Sequence, residues 1–97
     1  MEKKLLMSDF IVQASAIEKL QLSHMSLFLA IYHQWKISEF TQPIKITRRM
    51  LMNDSKIRSF ATYTKCMTDL DDLGFIAYQP SYHPNGSLVY WGDLISR

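Results

Sequence analysis

Ser59-Phe60-Ala61-Thr62-Tyr63-Thr64-Lys65-Cys66-Met67-Thr68-Asp69-Leu70-Asp71-Asp72-Leu73-Gly74-Phe75-Ile76 is the stretch that decides the fold. Ser59 is suited to cap a helix start, because a serine hydroxyl accepts from one of the first unpaired N–H groups. Ala61, Tyr63, Cys66, Met67, Leu70 and Leu73 then recur at helical spacing and define an inner side. Gly74 stops the helix, since glycine takes the left-handed conformation that ends a helix at no steric cost. Phe75 to Gln79 follows at once as a strand, so the chain turns from helix into sheet within one residue.

Working upstream, Asp54, Ser55 and Lys56 read as a turn, preceded by a short helix from Arg48 to about Asn53 with Thr47 as its cap. In that helix Met50 and Leu51 point inward, and Arg48 and Arg49 outward. Pro43 to Thr47 alternates apolar and polar and suits a short edge strand, where proline is tolerated. From Ser23, placed as an N-cap, Leu27, Phe28, Ile31, Tyr32 and Trp35 form the stripe of a core helix. Phe10, Ile11, Ile17, Leu20 and Leu22 are compatible with a short helix after Ser8-Asp9. Downstream, Pro84-Asn85-Gly86 supplies turn chemistry between the strand after Gly74 and a returning strand, Leu88 to Trp91.

The order is therefore helix, short strand, helix, turn, helix, hairpin. It predicts a mainly α domain with a small β-hairpin (α+β), on the winged helix-turn-helix plan: a three-helix core plus a two- to three-stranded wing. Residues 1–22 are read as an N-terminal extension supplying a helix for dimerisation, because their apolar residues exceed what the core obviously needs. Residues 23–97 are read as the domain itself.

At 97 residues the chain has room for one core but not for a core and a deep substrate cleft. Hydrophobic residues at 47% and charged residues at 21% are ordinary globular usage and argue against disorder. No apolar run approaches the roughly 20 residues of a membrane span. One cysteine, Cys66, forms no internal disulfide, which fits a cytoplasmic location, and it is expected to be buried. The net charge of +2 is small, but it is unevenly spread: Lys45 to Lys65 holds six bases and one acid. Asp69, Asp71 and Asp72 then reverse the sign, which implies two faces of opposite charge.

The Ser-x-Ala-Thr opening at Ser59 and the Leu-x-x-x-Gly-aromatic-Ile exit at Leu70 resemble recognition helices of bacterial winged-helix regulators and of plasmid or phage replication initiators. The resemblance covers about Ser23 to Trp91. More narrowly, Ser55-Lys56-Ile57, Ala61-Thr62-Tyr63 and Pro80-Ser81-Tyr82-His83-Pro84 look like a group of small regulators encoded by mobile genetic elements of gut anaerobes. One departure stands out: many such helices carry a base two residues in and another near the middle, whereas this chain has Phe60 and Thr68-Asp69. Phosphate affinity is accordingly expected to be modest.

A helix from Ser59 docked in a major groove would bring Ser59, Thr62 and Lys65 to base edges or phosphates, with Thr64 at the margin. Arg48, Arg49, Lys56 and Arg58 flank it as candidate phosphate contacts. Tyr82, His83 and Asn85 fall at the wing tip, where they would touch the minor groove or backbone weakly. The plain alternative is that Ser59 only caps the helix, the threonines are a solvated face and the bases are scattered.

Function is thus expected to be DNA binding for regulation of transcription, excision or replication. The partners would be double-stranded DNA and a second copy of the chain or a larger assembly, with no cofactor, metal, membrane or small-molecule ligand. The competing expectation is a protein-interaction module in which Phe60, Trp91 and the aspartate run face another protein. An enzyme is not expected: His24, His33, His83 and Cys66 are too dispersed for a zinc site, and no glycine-rich phosphate loop occurs.

Overall fold

Short polar caps and one helix-ending glycine set the element boundaries in the computed structural model, which describes residues 10–80 and 86–92. Helix α1 covers residues 10–15 and α2 runs Leu22–Ile37; then follow β1 (Ile44–Ile46), α3 (Arg48–Ser55), α4 (Phe60–Asp72), β2 (Ile76–Gln79) and β3 (Ser87–Trp91). The protein is a small α+β domain, with four helices among the described residues and an open antiparallel sheet in the order β1-β3-β2.

Two of the expected caps are present. The Thr47 hydroxyl accepts from the Met50 N–H at 3.1 Å, and the Ser59 hydroxyl from the Thr62 N–H at 3.2 Å. At the far end of α4, Gly74 has φ 88°, its N–H bonds to the Asp71 carbonyl, and the Phe75 N–H reaches back to the Leu70 carbonyl at 3.0 Å. That double bond pattern closes the helix and needs the left-handed conformation, which disfavours any residue with a Cβ by about 1–2 kcal/mol.

Three local expectations are corrected. Helix α2 is capped by Gln21 and not by Ser23: the Gln21 N–H donates to Nδ1 of His24 at 3.0 Å, so an imidazole does the capping from inside the helix. Ser23 instead lies within α2 and accepts from the Cys66 thiol at 3.4 Å. Helix α3 continues to Ser55, which is buried, and the turn begins at Lys56, a left-handed residue with φ 67°. Ala61 faces solvent, while the inner side of α4 is carried by Tyr63, Cys66, Met67 and Leu70.

The core lies between the sheet and the helices. Ile44 and Ile46 point inward from β1 with Lys45 outward between them, and Val89 and Trp91 do the same from β3. Register places Val89 opposite both Ile44 and Tyr78, and Trp91 opposite Ile76. Gly92 closes the sheet against the helix exit: its N–H bonds to the Phe75 carbonyl at 2.9 Å, and a Cβ there would fall 2.1 Å from the Gly74 carbonyl oxygen.

Phe28 of α2 is the aromatic hub. Its ring stacks on Phe10 with centroids 3.6 Å apart and meets Trp91 at 5.3 Å, and Trp91 in turn meets Trp35 edge-on at 5.4 Å. Phe10 is 1% exposed and Ala14 5%, so α1 packs into the same core as residues beyond 22, and the sequence boundary at that point does not divide the packing. Ile11 and Val12 on the same helix remain exposed. Among the described residues no helix is long and apolar enough to cross a membrane.

Removing the Phe10 ring therefore empties a core position. Phe10→Ala is expected to cost about 3–5 kcal/mol in equilibrium urea unfolding, whereas an α1 merely appended to the domain would leave the midpoint unchanged.

Candidate nucleic-acid interface

Helix α4 buries one side and presents the other. Tyr63, Cys66, Met67 and Leu70 face the core, so residues at the opposite helical positions, Ala61, Thr64, Lys65, Thr68 and Asp72, are exposed. Phe60, the first residue of the helix, is 58% exposed, and Ser59 at the cap is exposed as well. Thr64 is thus near the centre of the outward face and not at its margin. Thr62 is half-buried on a flank, facing the start of α2.

Asp69 adds a polar constraint to this apolar one. Its carboxylate is buried and accepts from Nε2 of His24 at 2.8 Å, from Lys65 at 2.9 Å one turn earlier on α4, and pairs with Lys19 at 3.2 Å. Because Nδ1 of His24 is occupied as acceptor by the Gln21 N–H, Nε2 carries the hydrogen donated to Asp69. One imidazole thus caps α2 and clamps α4 to it. The bonds from Lys65 and His24 hold the Asp69 carboxyl well below the usual carboxylate range, against the opposing effect of burial, with Lys19 adding to them. Lys65 is in turn held protonated above its ordinary range, chiefly by its bond to Asp69.

The expected cations divide around the start of α4. Lys56, Arg58, Ser59 and Thr62 line one groove together with Ser23 and Ser26 of α2. Across the turn, the Ser26 hydroxyl donates to the Ser55 carbonyl and pins the α3–α4 connection to α2. On the other flank the Arg48 guanidinium lies 4.6 Å over the Phe60 ring, a cation–π contact that orders both side chains. Beneath it the Tyr63 hydroxyl is pushed up to about 12 by burial and by Tyr78, with Arg48 acting the other way, so it stays protonated. Arg49 is exposed on α3 with Asn53 one turn on. Arg48, Lys56, Arg58, Ser59 and Thr62 are therefore brought to the start of α4, Arg49 stands on the neighbouring helix, and Lys65 is partly neutralised within α4 itself.

Two parts of the interaction reading are corrected here. Trp91 is 6% exposed and built into the aromatic core, and Asp69 is 6% exposed and fully engaged, so neither is presented to a partner. Phe60, Asp71 and Asp72 do face solvent. His83, Asn85 and Tyr82 lie outside the described residues. Cys66 is buried, and among the described residues no group of three or more His, Cys, Asp or Glu is arranged to hold a metal.

Comparison with known proteins finds no family model, no curated protein and no solved structure that matches this chain.

The sequence reading missed the His24–Asp69–Lys19 cluster. Lys65 and Asp69 are four apart on one helix and legible as a pair, but His24 and Asp69 are 45 residues apart and only the packing of α4 on α2 brings them together.

The sign of the pH dependence follows from Asp69. Its folded pKa lies below the unfolded value, so its contribution to stability is complete above the unfolded value of about 4 and is lost as pH falls below that toward the folded one. Asp69→Asn is expected to cost about 1–3 kcal/mol at neutral pH, and to flatten the acid limb of stability against pH below about pH 4, read by thermal unfolding across a pH series. An unchanged acid limb would contradict the assignment.

Proposed function

We propose that the chain is a winged helix-turn-helix domain that binds double-stranded DNA, with α4 entering the major groove and the β2–β3 hairpin alongside. Support for the fold comes from the element order and from the sheet order, in which β1, following α2, pairs with β3 of the hairpin. Helices α3 and α4 both pack on α2 and are joined by the short turn 56–59, as a helix-turn-helix requires.

The observation that carries the reading is the polarity of α4. Arg48, Lys56 and Arg58 stand around its N-terminal end, where unpaired N–H groups also favour a phosphate oxygen, while Asp71 and Asp72 are exposed at the other end. Phosphates would accept the first end and be repelled by the second, which orients the helix before any base is touched. The role we assign is that of a small cytoplasmic regulator of transcription, or of excision or replication of a mobile element, working without a cofactor. As a homodimer it would read a two-fold site, with exposed Ile11 and Val12 of α1 available to the contact.

Fluorescence anisotropy with random-sequence duplex DNA tests the reading. Wild-type binding is expected to weaken steeply between about 50 and 200 mM salt. The variant Arg49→Gln/Lys56→Gln/Arg58→Gln is expected to bind more weakly, with a salt slope shallower by about one for each phosphate contact removed. No binding at the lower salt would overturn it.

A further inference from the structure

The outward face of α4 is chemically unusual for a surface offered to a polyanion, because between its N-terminal end and Thr68 every exposed side chain except Lys65 carries a methyl group or an aromatic ring, and only Asp71 and Asp72 follow. Phe60 presents an aromatic ring, Ala61 a methyl group, and Thr64 and Thr68 a methyl beside a hydroxyl; all four are exposed. Lys65 is the one cation in the sequence of α4, and its ammonium is held at 2.9 Å by Asp69, a carboxylate kept ionised by His24 and Lys19 as well. Asn, Gln and Arg, the side chains that bond adenine or guanine in bidentate fashion, are absent from Phe60–Asp72. What the face can offer a major groove is therefore apolar contact and single threonine hydroxyl bonds, and of these the hydroxyl, which donates or accepts, discriminates little among bases. In that groove the base-pair feature that answers apolar contact is the C5-methyl of thymine, which alanine, the threonine methyl and phenylalanine all meet.

Resting on the DNA-binding reading, we infer that α4 reads its site through thymine methyl groups, with Phe60, Ala61, Thr64 and Thr68 as the specificity-determining residues. The cations at the N-terminal end supply affinity without sequence preference, and the helix face supplies discrimination. Arg48 takes part indirectly: stacked on Phe60, it fixes the ring that would otherwise rotate freely at the helix start.

Uracil is the probe, because it pairs as thymine does and lacks only the methyl. The full chain is titrated by fluorescence anisotropy against a mixed-sequence duplex of A·T pairs two helical turns long, about 20 base pairs, made once with thymine and once with uracil. The thymine duplex is expected to bind more tightly, by about fourfold for each methyl buried, the equivalent of one methylene transferred from water. Thr64→Ser removes one protein methyl, keeps the hydroxyl and sits on the exposed face, so folding is retained; it is expected to narrow the thymine-to-uracil ratio. Thr68→Ser is expected to act in the same direction. Equal affinity for the two duplexes, or a ratio that Thr64→Ser and Thr68→Ser both leave unchanged, would overturn the inference while leaving DNA binding intact. Absence of binding to either duplex at low salt would overturn DNA binding itself, and the inference with it.

Discussion

The hydrogen bond from His24 to Asp69 is the constraint on which the arrangement of this domain turns. It joins the first turn of α2 to the last third of α4, both partners are buried, and its imidazole is already committed on the other side to capping α2. A buried donor left without its acceptor costs more than the bond itself is worth, so α4 cannot roll about its axis without exposing that cost. The rotation of α4 is what decides which of its residues meet solvent. This polar contact, together with the burial of Tyr63, Cys66, Met67 and Leu70, leaves Phe60, Ala61, Thr64 and Thr68 in the outward set.

The same contact also settles how charge is displayed. Asp69 is the one member of the aspartate run that is turned inward, while Asp71 and Asp72 stay exposed. Its carboxylate pairs Lys65, the one cation of α4, whose side chain nonetheless stays 65% exposed. Positive charge is left to Arg48, Lys56 and Arg58 around the start of the helix and to Arg49 on α3. In the reading proposed here that separation divides the work: the turn and α3 grip the phosphates, and the helix face discriminates among bases.

Much of the fold was legible because local rules and tertiary packing agree. Thr47 and Ser59 cap the helices they precede, Gly74 ends α4 in the left-handed conformation, and the alternation at Ile44, Lys45 and Ile46 gives an edge strand. The misreadings share a physical origin, which is contact between distant residues. Ser23 has the right chemistry for a cap, but the imidazole of His24 takes that role because Asp69 orients it. Phe10 sits at mixed spacing in a short segment, and nothing local announces that it stacks on Phe28. Ala61 is too small to report its side of a helix by hydrophobicity. At the candidate site, the cations around the turn were legible from their concentration in sequence, whereas the tying of Lys65 and the burial of Trp91 depend on the assembled core.

Mapping amide chemical shifts of the ¹⁵N-labelled chain during titration with duplex DNA tests the central claim most directly, because it reports where the nucleic acid lies on the surface. The account predicts that the largest shifts fall at Ser59 to Thr68 and at Arg49, Lys56 and Arg58, with Asp71, Asp72 and the exposed side of α2 around Leu29 unmoved. Shifts centred on α2 or on the C-terminal end of α4, with the Ser59 end silent, would contradict it.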